Sequence, residues 1–129
     1  MPVKKLVEKI TTKPEVKSYI IEVLEAFQNM NTNKLNTLLD DGLRYENLEK
    51  KEFIYQQKNI FSIFKNAGDT RLELSTNICT GCLCSEPVFV LTGNKSNKKY
   101  AIYMQFAKGE ITDIFRCAEQ SQGLGLMPF

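Results

Sequence analysis

Two groups of residues in this sequence have the types and spacing to do chemistry: a run of thiols and a pair of carboxylates. The run is Cys79-Thr80-Gly81-Cys82-Leu83-Cys84. Cys-x-x-Cys spacing lets two thiolates approach one zinc ion or form a redox pair, and Gly81 suits a metal knuckle and a tight turn equally. A closed zinc site needs four ligands, and the remaining cysteine is Cys117. A hairpin through Gly93-Asn94 that sets Tyr100 opposite Gly93, followed by one that sets Cys117 opposite Tyr100, leaves Cys117 roughly 30 Å along the sheet from Cys84, at ~3.3 Å per residue. That leaves Cys79, Cys82 and Cys84 as an open three-thiolate site, as ordinary turn cysteines, or as a Cys79–Cys84 disulfide in an oxidising compartment. The leading expectation is turn cysteines with no metal and no cofactor.

The carboxylates are Asp113 and Glu46. They matter because the sequence contains no histidine, which excludes Ser-His-Asp and Cys-His catalysis, histidine-containing zinc sites and histidine pH switches. Acid-base work falls to carboxylates, tyrosine, lysine or cysteine. Asp113 lies between Ile111 and Phe115 in an alternating apolar run, where an ionised carboxyl costs several kcal/mol to bury unless something satisfies it. It therefore needs a raised pKa, a partner such as Arg44, Arg71 or Tyr103, or water in a cavity. The alternative is a bulge near the turn that sends Asp113 outward and turns Thr112, Ile114 and Arg116 inward. Glu46 follows Tyr45 on a short predicted strand, so the two point to opposite faces and only one can line an interior. Tyr45 packed with Glu46 solvated stands beside a catalytic Glu46, and the charged run from Glu46 to Glu52 favours the former.

These residues must be positioned by one domain. The 129 residues contain no internal repeat, linker or low-complexity tract, so residues 1–129 read as a single unit with a core over 14–119 and an apolar, glycine-broken tail over 120–129. Val3, Leu6, Val7 and Ile10 make a short apolar stripe that ends before Pro14. From Pro14, the spacing of Val16, Tyr19, Ile20, Val23, Leu24 and Phe27 predicts an amphipathic helix. Asn31 to Asn33 interrupt it, and Leu35, Leu38 and Leu39 make a second, shorter helix that stops at Asp40-Asp41-Gly42. Leu43 to Leu48 reads as one short strand, followed by a helix with Phe53, Gln57, Ile60, Phe61 and Phe64 on one face.

Strands are predicted over Thr70–Cys79, Pro87–Thr92, Tyr100–Ala107 and Ile111–Ala118. The second is apolar on both faces and the others alternate. A two-residue turn at Lys108-Gly109 sets Ile111 opposite Phe106, Asp113 opposite Met104, Phe115 opposite Ile102 and Cys117 opposite Tyr100, all on one face. Helices followed by an antiparallel meander make an α+β domain, helices packed on one face of the sheet.

This order of elements, with the segment Asn29-Met-Asn-Thr-Asn-Lys-Leu-Asn-Thr-Leu-Leu-Asp-Asp-Gly-Leu-Arg-Tyr-Glu46, resembles the nuclear transport factor 2-like superfamily over residues 14–119. The resemblance implies a cystatin-like fold in which a curved antiparallel sheet wraps a long helix as a cone with an interior pocket. Ketosteroid isomerases of this superfamily use a general-base aspartate on the short strand and an oxyanion hole of a tyrosine and a protonated aspartate. Aligned on Asp40-Asp41, the base position falls on Glu46, the tyrosine position near Leu24 and the acid position near Ile102. Two of three positions are therefore apolar, and losing an oxyanion donor costs a factor of ~100 to 1,000 in rate. The dehydratase branch depends on histidine and is excluded.

The expectation that follows is a binder of a small apolar or amphipathic molecule in the cone, contacted by Asp113, Met104, Ile102, Phe106, Phe115, Tyr45 and Tyr19. Two alternatives stand beside it: an isomerase- or dehydratase-type enzyme with Glu46 or Asp113 as general base, and a dimerisation module with a filled cone. Net charge +2 gives no polyanion-binding surface, so no nucleic acid is expected. Charges at Lys4, Lys5, Glu8 and Lys9 break any signal-peptide core, and no window is apolar enough for a membrane span, so a cytoplasmic protein is expected, with a homodimer as its assembly.

Overall fold

The computed structural model describes residues 14–78, 87–107, 110–117 and 121–124. Helix α1 spans Pro14–Gln28, α2 Thr32–Leu38 and α3 Lys50–Asn66. Between α2 and α3 lie two very short strands, β1 Arg44–Tyr45 and β2 Leu48–Glu49. The second half is a meander of β3 Leu72–Ile78, β4 Pro87–Gly93, β5 Lys99–Ala107 and β6 Glu110–Arg116, antiparallel throughout in the order β3-β4-β5-β6. The protein is α+β. The apolar stripe over residues 3–10, the Lys108-Gly109 turn and Cys79, Cys82 and Cys84 lie outside the described residues.

Local chemistry explains the element ends. Asn31 caps α2 by accepting from Lys34 N at 3.0 Å, satisfying a donor that has no partner within the helix. Helix α3 stops at Ala67, and Gly68 takes up φ +95°, a conformation open to glycine at no steric cost. The chain then enters β3 through Asp69, whose buried carboxylate accepts from Lys95 N and Ser96 N at 2.8 Å and from Ser96 Oγ at 2.6 Å. Asp69 thus ties the start of β3 to the β4–β5 connection. Gly93 is required beside it, because a Cβ there would collide with the Asp69 carboxylate.

That connection corrects the expected pairing of Tyr100 with Gly93. Gly93 N donates to Lys98 O, and Tyr100 pairs with Leu91. Asn94 to Asn97 form a longer loop on which the Asp69 carboxylate is seated. A two-residue hairpin would leave that acid without its three donors.

One core cluster fills the space between the helices and one face of the meander. Ile20, Val23, Leu24 and Phe27 of α1 and Phe53, Ile60, Phe61 and Phe64 of α3 meet Leu72, Leu74, Phe89, Leu91, Tyr100, Ile102, Met104, Ile111 and Ile114. Val88, Val90, Ala101 and Cys117 form a second buried cluster, in register on the opposite face. Strand β4 is accordingly apolar on both sides, as its unbroken run of Val88 to Leu91 requires.

The expected β5–β6 register holds only at the turn. Ala107 pairs with Glu110 and Phe106 with Ile111, but Gln105 pairs with Asp113 because a bulge at Thr112 inserts one extra residue. Beyond it every partner shifts: Met104 faces Ile114, Tyr103 faces Phe115 and Ile102 faces Arg116. Asp113, Phe115 and Cys117 are therefore not on the helix-facing side with Met104 and Ile102. The bulge lets both Ile111 and Ile114 enter the core and spares Asp113 the cost of apolar burial.

Candidate functional site

The helix-facing core contains a small number of polar groups, and they converge. Gln57 is fully buried on α3, one turn from Phe53 and one turn from Phe61. Its Oε1 accepts from the hydroxyl of Tyr100 on β5 at 2.6 Å, and its Nε2 is buried with no hydrogen-bond partner. Burial pushes the Tyr100 phenol well above its ordinary value, the Glu46 charge pushes it further, and the Gln57 hydrogen bond and the Arg116 charge pull it back. The hydroxyl is thus held protonated. Arg116 reaches this face because the bulge sets it opposite Ile102, a diagonal neighbour of Tyr100 on the same side of the sheet.

Glu46 joins the cluster from a turn, not from a strand. Leu43 to Leu48 folds as a minimal hairpin in which Tyr45 pairs with Leu48. Glu46 and Asn47 are its two central residues, at φ 53° and 65°. Positive φ at both positions is a type I′ turn, where Asn, Asp and Gly are preferred. A glutamate there costs on the order of 1–2 kcal/mol in backbone strain. Alternation of Tyr45 and Glu46 along one strand therefore does not apply. Tyr45 is buried against Phe53, ring centroids 5.2 Å apart, and its hydroxyl accepts from Asp40 N at 3.0 Å.

Carboxylates dock this turn on β6, the edge of the sheet. Glu46 N donates to Asp113 Oδ1 at 2.8 Å, which also accepts from Ile114 N, and Arg116 N donates to Glu46 Oε2 at 3.2 Å. Since Cys117 N donates to Ala101 O on β5, the Ile114 and Arg116 amides point the other way, off the edge. Two side chains thus satisfy edge donors that would otherwise be open to another strand. Burial raises the pKa of half-buried Glu46, the Arg116 amide and the Arg116 charge lower it, and the Asp113 charge raises it.

The other expected site residues are distributed more widely. Met104 and Ile102 lie in the helix-facing core, as do Leu24 and the Tyr45 ring. The Tyr19 hydroxyl donates to Leu38 O at 3.0 Å, fastening α1 to α2. Phe115 stacks on Tyr103 at 5.0 Å on the opposite face of the sheet. The side chain of Phe106 lies outside the described part. Asp113 is satisfied by backbone amides, while Arg44 donates to Asn47 O and Arg71 pairs with Glu73 at 3.0 Å. The reason is geometric: the bulge moves Asp113 beside the hairpin turn, within reach of the Glu46 amide.

Gln57 and Tyr100 are the residues that reading for catalytic types passes over. The available signal was a glutamine inside the stripe Phe53, Gln57, Ile60, Phe61, Phe64, a polar group at a core position. A polar groove of about 790 Å³ also runs between α2, the hairpin and α3, lined in part by Asn36, Gly42, Arg44 and Lys50. The Lys50 ammonium in it is committed, since Nζ pairs with Asp41 and donates to Asn36 O at 2.9 Å. Among the described residues no group of His, Cys, Asp and Glu could hold a metal ion, and no helix is long and apolar enough to cross a membrane. No family model, curated protein or solved structure matches the chain.

Proposed function

We propose that this chain binds a small, largely apolar molecule between its helices and the helix-facing side of the sheet, the place where the nuclear transport factor 2-like resemblance puts the interior of a cone. One observation carries the reading: Gln57 is wholly buried and its Nε2 amide group has no hydrogen-bond partner. A buried donor without an acceptor costs about 1–3 kcal/mol. A ligand oxygen in place of the missing acceptor recovers that cost. Native mass spectrometry of the purified full chain tests the proposal. The expected result is a noncovalent organic adduct that disappears on denaturation, together with a subunit number, for which a homodimer is proposed. A spectrum of bare protein that stays bare after incubation with apolar small molecules would overturn it.

Glu46 supports a second reading, a carboxylate enzyme acting on a carbon acid or a leaving hydroxyl. Burial raises its pKa above the ordinary glutamate value, and its strained turn holds its carboxylate against the Arg116 amide. A nuclear magnetic resonance titration of the Glu46 side-chain carboxyl that returns an ordinary glutamate value would remove this reading.

A further inference from the structure

We infer that the outer edge of β3 is the surface on which two copies of this chain meet, strand against antiparallel strand, so that the sheet continues from one copy into the next. This names the interface of the homodimer proposed above and does not depend on the bound molecule. Among the described residues β3 pairs with β4 alone. The ladder shows which of its backbone groups are open. Asn94 N donates to Arg71 O, so Arg71 faces β4, and Gly93 N donates to Lys98 O, so Gly93 faces β5 and its partner Leu72 faces away from β4. By alternation Glu73 and Ser75 direct their N–H and C=O to β4, while Leu72, Leu74 and Thr76 present theirs to the edge. Gln28 Nε2 closes the first of these, donating to Leu72 O at 3.4 Å. Leu74 and Thr76 have no such cover among the described residues, and Ser75 and Thr76 are exposed. The opposite edge of the sheet differs, because Asp113 and Glu46 occupy amides of β6. Strand β3 has no proline, lysine or bulge to block pairing, and its one charge, Glu73, is paired with Arg71 at 3.0 Å.

A second copy fits this edge because the strand is complementary to itself about a two-fold axis at Ser75. That register sets Leu74 opposite the partner's Thr76 and Thr76 opposite the partner's Leu74, each pair exchanging both of its hydrogen bonds. The small Ser75 side chain meets its own mate at the axis. Centring on Glu73 would set two like charges face to face, and centring on Leu74 would need the Leu72 carbonyl that Gln28 already holds. Centring on Thr76 would make Leu74 pair with the last residue of the strand, Ile78. A ladder this short falls below the ~1,200 Å² of a standard interface, so the dimer forms with rising concentration.

Sedimentation equilibrium of the full chain, from micromolar to near-millimolar concentration, tests the edge. Thr76→Pro removes an N–H that points away from β4, so the ladder within one copy keeps its bonds. The two-fold axis repeats that loss, and the dimer dissociation constant should rise by roughly ten- to a hundredfold. Thr76→Ala keeps the N–H and should leave the constant nearly unchanged. Should the proline variant fold poorly by circular dichroism, Thr76→Lys keeps every backbone group, brings two like charges near the axis and should weaken the dimer as well. Ser75→Cys supplies the register: opposed residues that are not hydrogen-bonded to each other lie about 4.5 Å apart at Cα, within the range a disulfide spans. Mild oxidation should therefore join two copies through position 75, located by peptide mass spectrometry. A dimer that Thr76→Pro and Thr76→Lys leave unmoved, or one that does not cross-link at position 75, overturns the β3 edge while the homodimer stands. A chain that stays monomeric throughout overturns both and leaves the binding reading to its own test.

Discussion

Replacing Tyr100 with phenylalanine deletes one oxygen from the core, and its cost can be worked from what the oxygen does. The hydroxyl donates to Gln57 Oε1 at 2.6 Å, and both residues are buried, at 1% and 0% exposure. Tyr100→Phe leaves Oε1 unpartnered beside an Nε2 that already has no partner, which should cost about 1–3 kcal/mol. At ~4 °C per kcal/mol for a domain of this size, the melting temperature should fall by roughly 4–12 °C. Gln57→Leu behaves differently. It orphans the Tyr100 hydroxyl but also removes the unpaired amide, so its net effect should be within about 1 kcal/mol of zero. The double variant removes every unsatisfied atom of the pair and should be as stable as the native chain or more so, because replacing both partners by apolar groups of similar shape is nearly neutral. The assay is urea unfolding followed by circular dichroism on all four proteins, with the coupling read from the cycle. A near-neutral Tyr100→Phe, or single effects that add to within ~0.5 kcal/mol, would show that the two side chains are not coupled.

Four further outcomes are expected. Asp69→Ala leaves three donors without their acceptor and should cost about 2–4 kcal/mol, read as a lower urea midpoint. Although burial alone would raise it, the Ser96 hydroxyl, the Ser96 and Lys95 amides and the Lys98 charge hold the Asp69 pKa below its ordinary value. Its contribution is therefore complete above the ordinary aspartate range and lost as pH falls through the depressed value, so the native chain should weaken in acid more than Asp69→Ala does. Glu46 has the opposite sign: its raised pKa means the folded chain holds the proton more tightly, so a penalty develops as pH rises from the ordinary glutamate value through the raised one. Glu46→Gln should flatten that part of the stability profile and leave neutral-pH stability unchanged or higher in the same unfolding assay. Asp113→Ala removes the acceptor for Glu46 N and Ile114 N. Hydrogen exchange at those two amides should accelerate by more than at the Leu72 or Leu91 amides, and equal protection would show that Asp113 does not fasten the turn.

Much of this protein was legible in its sequence because periodicity reports burial directly. The stripe Ile20, Val23, Leu24, Phe27 became the buried face of α1, and the stripe from Phe53 to Phe64 became that of α3. Alternation of Leu72 and Leu74 with Arg71 and Glu73 placed one face of β3 inward, and four strands in meander order followed from turn residues and strand length. The absence of histidine narrowed the chemistry without any structure. Glu46 was visible as a candidate, but its mode of presentation was not: no local rule places a glutamate at φ 53° in a type I′ turn.

Which way β6 faces was settled by long-range packing. Ile111, Asp113, Phe115 and Thr112, Ile114, Arg116 are two interleaved sets, and strict alternation must bury one set and expose the other. Beyond Thr112 the chain takes the bulged alternative, with Asp113 turned away from the helices and Ile114 and Arg116 on the helix-facing side, while Ile111 before the bulge is also buried. One extra residue at Thr112 lets Ile111 and Ile114 share the core, moves Asp113 beside the Glu46 amide, and turns Arg116 toward Tyr100. A bulge costs little locally and is decided by the sum of distant contacts: two isoleucines buried instead of one, a carboxylate given two amide donors, and an edge strand covered. Those contacts join residues some seventy positions apart, so no window of the sequence contains the energies that chose between the registers. The same holds for Gln57 and Tyr100. Periodicity put a glutamine in an apolar stripe and a tyrosine on a strand, and only the packing of α3 on β5 brought them to hydrogen-bonding distance and left the Gln57 Nε2 group without an acceptor.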